Sequence, residues 1–256
     1  MRTLLVTSEE PLYLPRYLEP VVSEHAASIE AVVVAPLPRS TREQVRRQYR
    51  MFGPLAFVRM GARFVAGRLA DVLSGGRPVG GRYHSVASLA RAHDVPVWHA
   101  PDVSAPTFVD RVRAADPDLL LSVVAGQKLG PDLLAVPDDA VNLHGSLLPK
   151  YRGRATAFWP LYYGDDVTGV TAHRLTDEWD AGPIVERRRV QIADEETVHS
   201  LYLKLADCGG RLACDLLDRY PCALETEPNE TTDGDYHSLP TPAQRRAFLD
   251  RGGRFA

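Results

Sequence analysis

Residues 141 to 154 read VNLHGSLLPKYRGR, an apolar run that carries Asn142 and His144 before it passes into Gly, Ser, Pro and Arg. Side chains at i and i+2 of a strand share a face, so this spacing predicts an amide beside an imidazole where a strand ends. An imidazole used in catalysis needs a carboxylate to orient and charge it. The segment TDEWDAGPI supplies Asp177, Glu178 and Asp180 in an expected loop, with Asp180 set before Ala181 and Gly182, where a tight turn can aim it. An amide, a histidine and an aspartate together suit acyl transfer to an amine. The amide and an imidazolium steady the oxyanion, and the His/Asp couple handles the proton that the amine must lose. No serine or cysteine nucleophile is required, and Ser146 sits in GSLLP without the GxSxG elbow. On residue types alone the bland alternative stands ahead, because a lone strand histidine is more often a satisfied structural residue. His173, on the following strand signal, is expected to be structural for the same reason.

The elements that must hold these side chains are legible as apolar runs. Thr3 to Ser8, Ile29 to Pro36, Val95 to Ala100 and Asp118 to Ala125 read as strands, separated by helical patterns through PRYLEPVVSEHA and PTFVDRVRAAD. Continuous apolar strands alternating with helices predict an α/β fold with a doubly wound, mostly parallel, Rossmann-like sheet covered on both faces. Ligands of such sheets gather outside the carboxyl ends of the strands. Val141 to Ser146, Gly169 to Thr176 and Pro183 to Ile192 are the next strand candidates, followed by a long amphipathic helix with Leu201, Leu205, Cys208, Leu212 and Leu216 at helical spacing. Gly209 and Gly210 weaken that helix by about 1 kcal/mol each relative to Ala. The expected organisation is a catalytic unit over 1–220 and an extension over 221–256, in which a loop leads to a short helix.

Thr41 to Ala70 breaks the rhythm, with seven arginines against Glu43 and interleaved apolar residues. Gly53-Pro54 should split it into two helices. It reads either as a helical insertion (41–81 with its connector) that solvates its arginines, or as a basic face for a phosphorylated substrate, an RNA backbone or an anionic membrane. The connector SGGRPVGG has glycines but no strand before it, and no GxGxxG follows the first strand, so a dinucleotide site is unsupported.

The chain's 256 residues, 45% hydrophobic and 25% charged, allow a full core without covalent staples. Three cysteines, Cys208, Cys214 and Cys222, show no CxxC spacing, so neither a disulfide framework nor a metal site is expected. A cytoplasmic setting follows from this and from the absence of a signal-peptide pattern or an apolar run long enough to span a membrane. A formal charge of −3 makes a nucleic-acid partner an unfavoured expectation.

The run NLHGSLLPKYRG, then Trp159, GDDVTGVTAHRL and DEWDAGPI, then a leucine-patterned helix, resembles the 10-formyltetrahydrofolate-dependent formyltransferase family. The likeness is strongest over Asp118 to Tyr220. It implies 10-formyltetrahydrofolate as co-substrate, no metal, and a catalytic triad of Asn142, His144 and Asp180. It also implies that the folate lies against SVVAGQKLGP and the Asp loop, with Val124, Gln127, Leu129 and Asp177 as contacts. Thr156 stands where the family often has proline, which puts the acceptor side in question. Arg152 and Arg154 either meet a substrate phosphate or cap carbonyls. Trp159 and Tyr162 are expected in the core.

Among acceptors, about 36 residues after Tyr220 are too few for the barrel that methionyl-tRNA formyltransferases usually add. The tail YHSLPTPAQRRAF is similar to those of sugar-type members, so an amino sugar on a nucleotide or other carrier is the expected small-molecule partner. Glycinamide ribonucleotide formyltransferase, formyltetrahydrofolate hydrolase and a non-catalytic folate binder stay as alternatives, and a homodimer stays open.

Overall fold

The computed structural model describes residues 1–37, 40–220, 224–232 and 236–256; Cys222 lies outside them. Strands β1 (Thr3–Thr7), β2 (Ile29–Val34), β3 (Val97–His99), β4 (Leu119–Val123) and β5 (Asp139–His144) are parallel. β6 (Arg152–Gly153) stands apart and pairs with β9 (Tyr236–His237). β7 (Val167–Arg174) and β8 (Ile184–Gln191) close the main sheet as an antiparallel hairpin, giving the order β3-β2-β1-β4-β5-β7-β8. The mostly parallel α/β sheet is therefore as the apolar runs predicted.

Every residue of β1 and β4 is buried, because helices cover both faces. Leu119 and Leu121 join one apolar cluster and Leu120 the other, as strand alternation requires. The first cluster holds α1 (Leu14–His25), α3 (Val86–Ala92), α6 (Phe158–Tyr163), α7 (Val198–Arg219) and α8 (Pro242–Asp250), and the second holds α4 (Pro106–Ala115) and α5 (Pro131–Leu134). The end of the chain shares the first cluster, where Phe158 meets Phe248 and Phe255 at ring-centroid distances of 5.0 and 5.8 Å. Trp159 and Tyr162 lie in or against that cluster as well.

The arginine-rich segment forms α2 (Thr41–Leu73), which bends at Gly53, where φ is 73° and ψ is 175°. Pro54 removes a backbone donor at the same place, so the expected break is observed. Arg245 of α8 lies over Gly53 and donates from Nη1 to Arg50 O at 2.6 Å.

α7 runs unbroken through Gly209 and Gly210, and packing explains why. A Cβ on Gly209 would lie 2.1 Å from Tyr17 Oη, and one on Gly210 would lie 2.5 Å from Tyr17 O. The doublet lets α1 and α7 approach backbone to side chain, and what the helix loses in propensity is offset by that contact. Gly210→Ala, which should help an isolated helix by about 1 kcal/mol, is expected instead to destabilise the fold by roughly 1–3 kcal/mol through overpacking. Urea unfolding of the variant checks the sign.

Candidate active site

β5 carries Asn142 and His144 on one face, as their spacing predicts. Its antiparallel partner β7 sets His173 opposite Asn142 and Thr171 opposite His144. Asn142 Nδ2 lies 3.1 Å from His173 Nε2, and His173 Nδ1 lies 2.9 Å from Arg174 O. A carbonyl oxygen only accepts, so His173 Nδ1 carries hydrogen, and its Nε2 faces both the Asn142 amide and the Asp180 carboxylate. An amide hydrogen of Asn142 is left for another acceptor. His173, expected to be a structural residue, thus stands inside the site.

Asp180 reaches both imidazoles from the loop between β7 and β8. Its Oδ1 lies 3.4 Å from His144 Nδ1 and 3.6 Å from His173 Nε2, and its Oδ2 accepts from Gly153 N at 2.9 Å. The loop folds back because Arg174 N donates to Pro183 O at 2.9 Å and because Gly182 has no side chain: a Cβ there would stand 1.9 Å from Arg174 O. Asp180 itself adopts a left-handed φ of 51°. Asn229, from the final segment, clamps the loop by donating to Asp180 O at 3.0 Å and Gly182 O at 3.1 Å.

Burial pushes the Asp180 carboxyl up, but the opposing charge of His144, the hydrogen bond from His173 and the Gly153 N–H together outweigh it. The carboxyl is held well below the usual carboxylate range. On the other side of His144, Nε2 donates to Tyr151 O at 3.0 Å. With that proton fixed on Nε2, facing Nδ1 toward a carboxylate is favourable when Nδ1 is also protonated.

The SLLPKYRG turn is organised to present these backbone groups. Ser146 Oγ donates to Lys150 O at 2.8 Å and Tyr151 O at 3.2 Å, and Thr171 Oγ1 donates to Ser146 O at 2.6 Å, so Ser146 is a brace. Tyr151 and Ala155 hold left-handed φ of 61° and 58°. Gly153 admits no side chain, since a Cβ would meet His237 O at 2.4 Å across the β6–β9 ladder.

The remaining expected residues occupy distinct places. Arg152 is buried and donates to Trp179 O at 3.1 Å from Nε and to Glu178 Oε1 at 2.6 Å from Nη2, so it caps a carbonyl of the Asp loop. Arg154 is half-buried beside it, its backbone N–H bound to His237 O at 2.8 Å. The Thr156 side chain bonds to Tyr202 and lies over Gly145. Val124, just past the carboxyl end of β4, is exposed with a left-handed φ of 51°. The Gln127 amide is engaged with backbone, donating to Pro36 O at 3.0 Å and Pro101 O at 2.9 Å and accepting from Val103 N at 3.1 Å. Leu129 is buried in the second apolar cluster, and Asp177 is exposed. Sequence patterns gave no sign of Asn229 or of the Gly153 N–H, because neither role has a local signature.

A carboxyl with a lowered native pKa stabilises the fold in full above its unfolded value, about 4, and loses that contribution as pH falls toward the native value. The stability difference between the wild-type chain and Asp180→Asn should therefore be largest above pH of about 4 and shrink on acidification. Urea midpoints measured in steps from neutral to acidic pH test this, and a difference that grows in acid contradicts it.

Many solved structures share the fold at low sequence identity, and three illustrate it. A sugar N-formyltransferase from a Shewanella species is 15% identical with a TM-score of 0.59, covering 97% of this chain and 86% of that one. The phosphoribosylglycinamide formyltransferase of Bacillus halodurans is 19% identical with a TM-score of 0.58, covering 88% of this chain and 99% of that one. A sugar 3N-formyltransferase determined with dTDP and 5-N-formyl-THF is 14% identical with a TM-score of 0.60, covering 98% and 80%. The family model described as formyl transferase matches residues 1–217, so the chain belongs to the formyl transferase family.

Proposed function

We propose that this enzyme transfers the formyl group of 10-formyltetrahydrofolate to the primary amine of a nucleotide- or carrier-linked amino sugar. One observation carries the reading: the mostly enclosed Asp180 carboxylate is shared by His144 and His173, with Asn142 fixed beside them. That donor set fits a formyl carbonyl, which needs hydrogen-bond donors for an oxygen that becomes negative and a means of moving one proton.

The co-substrate supplies an activated formyl carbon and a nitrogen able to leave. Asn142 offers an amide hydrogen to the carbonyl oxygen, and His173 keeps the amide from rotating. His144 contributes positive charge, maintained by Asp180. Asp180 stays ionised across the neutral range and is a weak base, so its role is to set the charge of His144. The amine loses one proton as its bond to the formyl carbon forms, and the folate nitrogen gains one as the old C–N bond breaks. No metal enters this scheme.

Val124 is assigned to the folate side, with Asp177 at its border and with Gln127 and Leu129 shaping the loop from behind. Arg154 and Thr156 are assigned to the acceptor side, where Arg152 acts by holding the Asp loop. The amino-sugar acceptor is supported by the sequence likeness of the tail and by shared fold with sugar N-formyltransferases. Glycinamide ribonucleotide is the second reading, favoured by the near-complete span of the Bacillus halodurans enzyme.

Incubation with 10-formyltetrahydrofolate and separate acceptors (amino sugar nucleotides, glycinamide ribonucleotide, aminoacyl-tRNA) tests the assignment by tetrahydrofolate release. Release that depends on an amino sugar nucleotide is expected. Release without any amine would identify a hydrolase instead. His144→Ala should lower kcat/KM by about 10²- to 10⁴-fold, and Asn142→Ala by about 10²- to 10³-fold; near-full turnover by either variant contradicts the mechanism.

A further inference from the structure

The second half of α2, from Leu55 to Leu73, turns an unbroken aliphatic face to solvent. Leu55, Val58, Val65, Leu69, Val72 and Leu73 are between 54% and 83% exposed. With Ala62, they fall at intervals of three and four, so they form one stripe along roughly 28 Å of helix. The opposite face is the one that packs: Met60 and Gly67 are buried, with Gly67 against Pro11 and His84. Exposed aliphatic surface of this extent on a single helix marks an interaction site.

Charge identifies the partner. α2 holds seven arginines against Glu43 and Asp71, in a chain whose formal charge is −3. Arg59 flanks the stripe on one edge and Arg68, which also meets Glu9 at 4.0 Å, on the other, and Arg42, Arg46, Arg47 and Arg50 lie toward the amino end. Asp71, the one acid between Leu55 and Leu73, has its Oδ1 enclosed rather than turned outward. A second copy pairing on this face would bring arginine edges together with no acid between them. RNA would answer the arginines and leave the aliphatic stripe in water, and the stripe offers no aromatic ring for base stacking.

We propose that α2 docks the enzyme on an anionic lipid bilayer, lying in the interface plane with its aliphatic stripe among the acyl chains and its arginines at the headgroups. The bend at Gly53 lets the two halves of the helix meet the surface at their own angles. This is peripheral attachment; among the described residues no helix is long and apolar enough to cross a membrane. Arginine stems reach along apolar surface to hold their charge at headgroup level, as an interfacial helix requires.

Flotation of the purified full chain with vesicles tests the proposal, using phosphatidylcholine alone and phosphatidylcholine with about one-third phosphatidylglycerol. Binding to the anionic vesicles, weakened by high salt and by omission of phosphatidylglycerol, is the expected result. The triple variant Val58→Ser, Val65→Ser, Leu69→Ser should bind about a hundredfold more weakly. The triple variant Arg46→Gln, Arg47→Gln, Arg59→Gln should lose binding by roughly the same factor. All six positions are outside the packed core, and unchanged thermal unfolding of the variants confirms that the fold is kept. Failure to float with anionic vesicles overturns the proposal. So does binding untouched by the serine substitutions, a dimer in sedimentation that those substitutions dissociate without any vesicle binding, or capture of RNA in its place.

Discussion

A carboxylate withdrawn from water must find compensation, and Asp180 finds it from three directions: two imidazoles and one backbone N–H. Each partner comes from a different element, His144 from β5, His173 from β7 and Gly153 from β6. Satisfying that one charge therefore fixes the mutual placement of three strands. It also holds His144 between two acceptors, with Asp180 Oδ1 3.4 Å from Nδ1 and Tyr151 O accepting from Nε2 at 3.0 Å. The antiparallel turn of the sheet at β7 matters for the same reason. A parallel strand there would have needed a long crossover, whereas the short loop between β7 and β8 folds back over the site it completes.

The surrounding structure acts on this carboxylate at one remove. Arg152 and Asn229 bind the backbone of the Asp loop, and Ser146 and Thr171 hold the turn that presents Tyr151 O. The final segment contributes Asn229 to the loop, β9 to the ladder behind Gly153, and Phe248 and Phe255 to the core. The geometry of the candidate site and terminal packing are thus mechanically joined. The arginine-rich helix is a different case, since its inner face meets the body through Met51, Met60 and Gly67 while the aliphatic stripe on its outer face is exposed.

Legibility in the sequence followed the range of the forces involved. The parallel strands were readable because burial on both faces requires continuous apolar runs. The bend of α2 was readable because Gly and Pro act on their own backbone. Asn142, His144 and Asp180 were nominated by residue type, spacing and family likeness, and the structure brings them together. The Gly209-Gly210 doublet was legible only as a cost, because its benefit lies in Tyr17, some 190 residues away.

The sequence by itself determined the α/β class, the strand ends and the chemical types offered there, since each depends on local periodicity or on the side chain's own functional groups. The tertiary structure alone decided which groups meet. Strand register set His173 against Asn142 and so brought an expected structural histidine into the site. Chain return placed Asn229 on the Asp loop and engaged the Arg152 guanidinium and the Gln127 amide with backbone. These are pairings between residues distant in the chain, and their free energy resides in desolvation and geometry that no local pattern records.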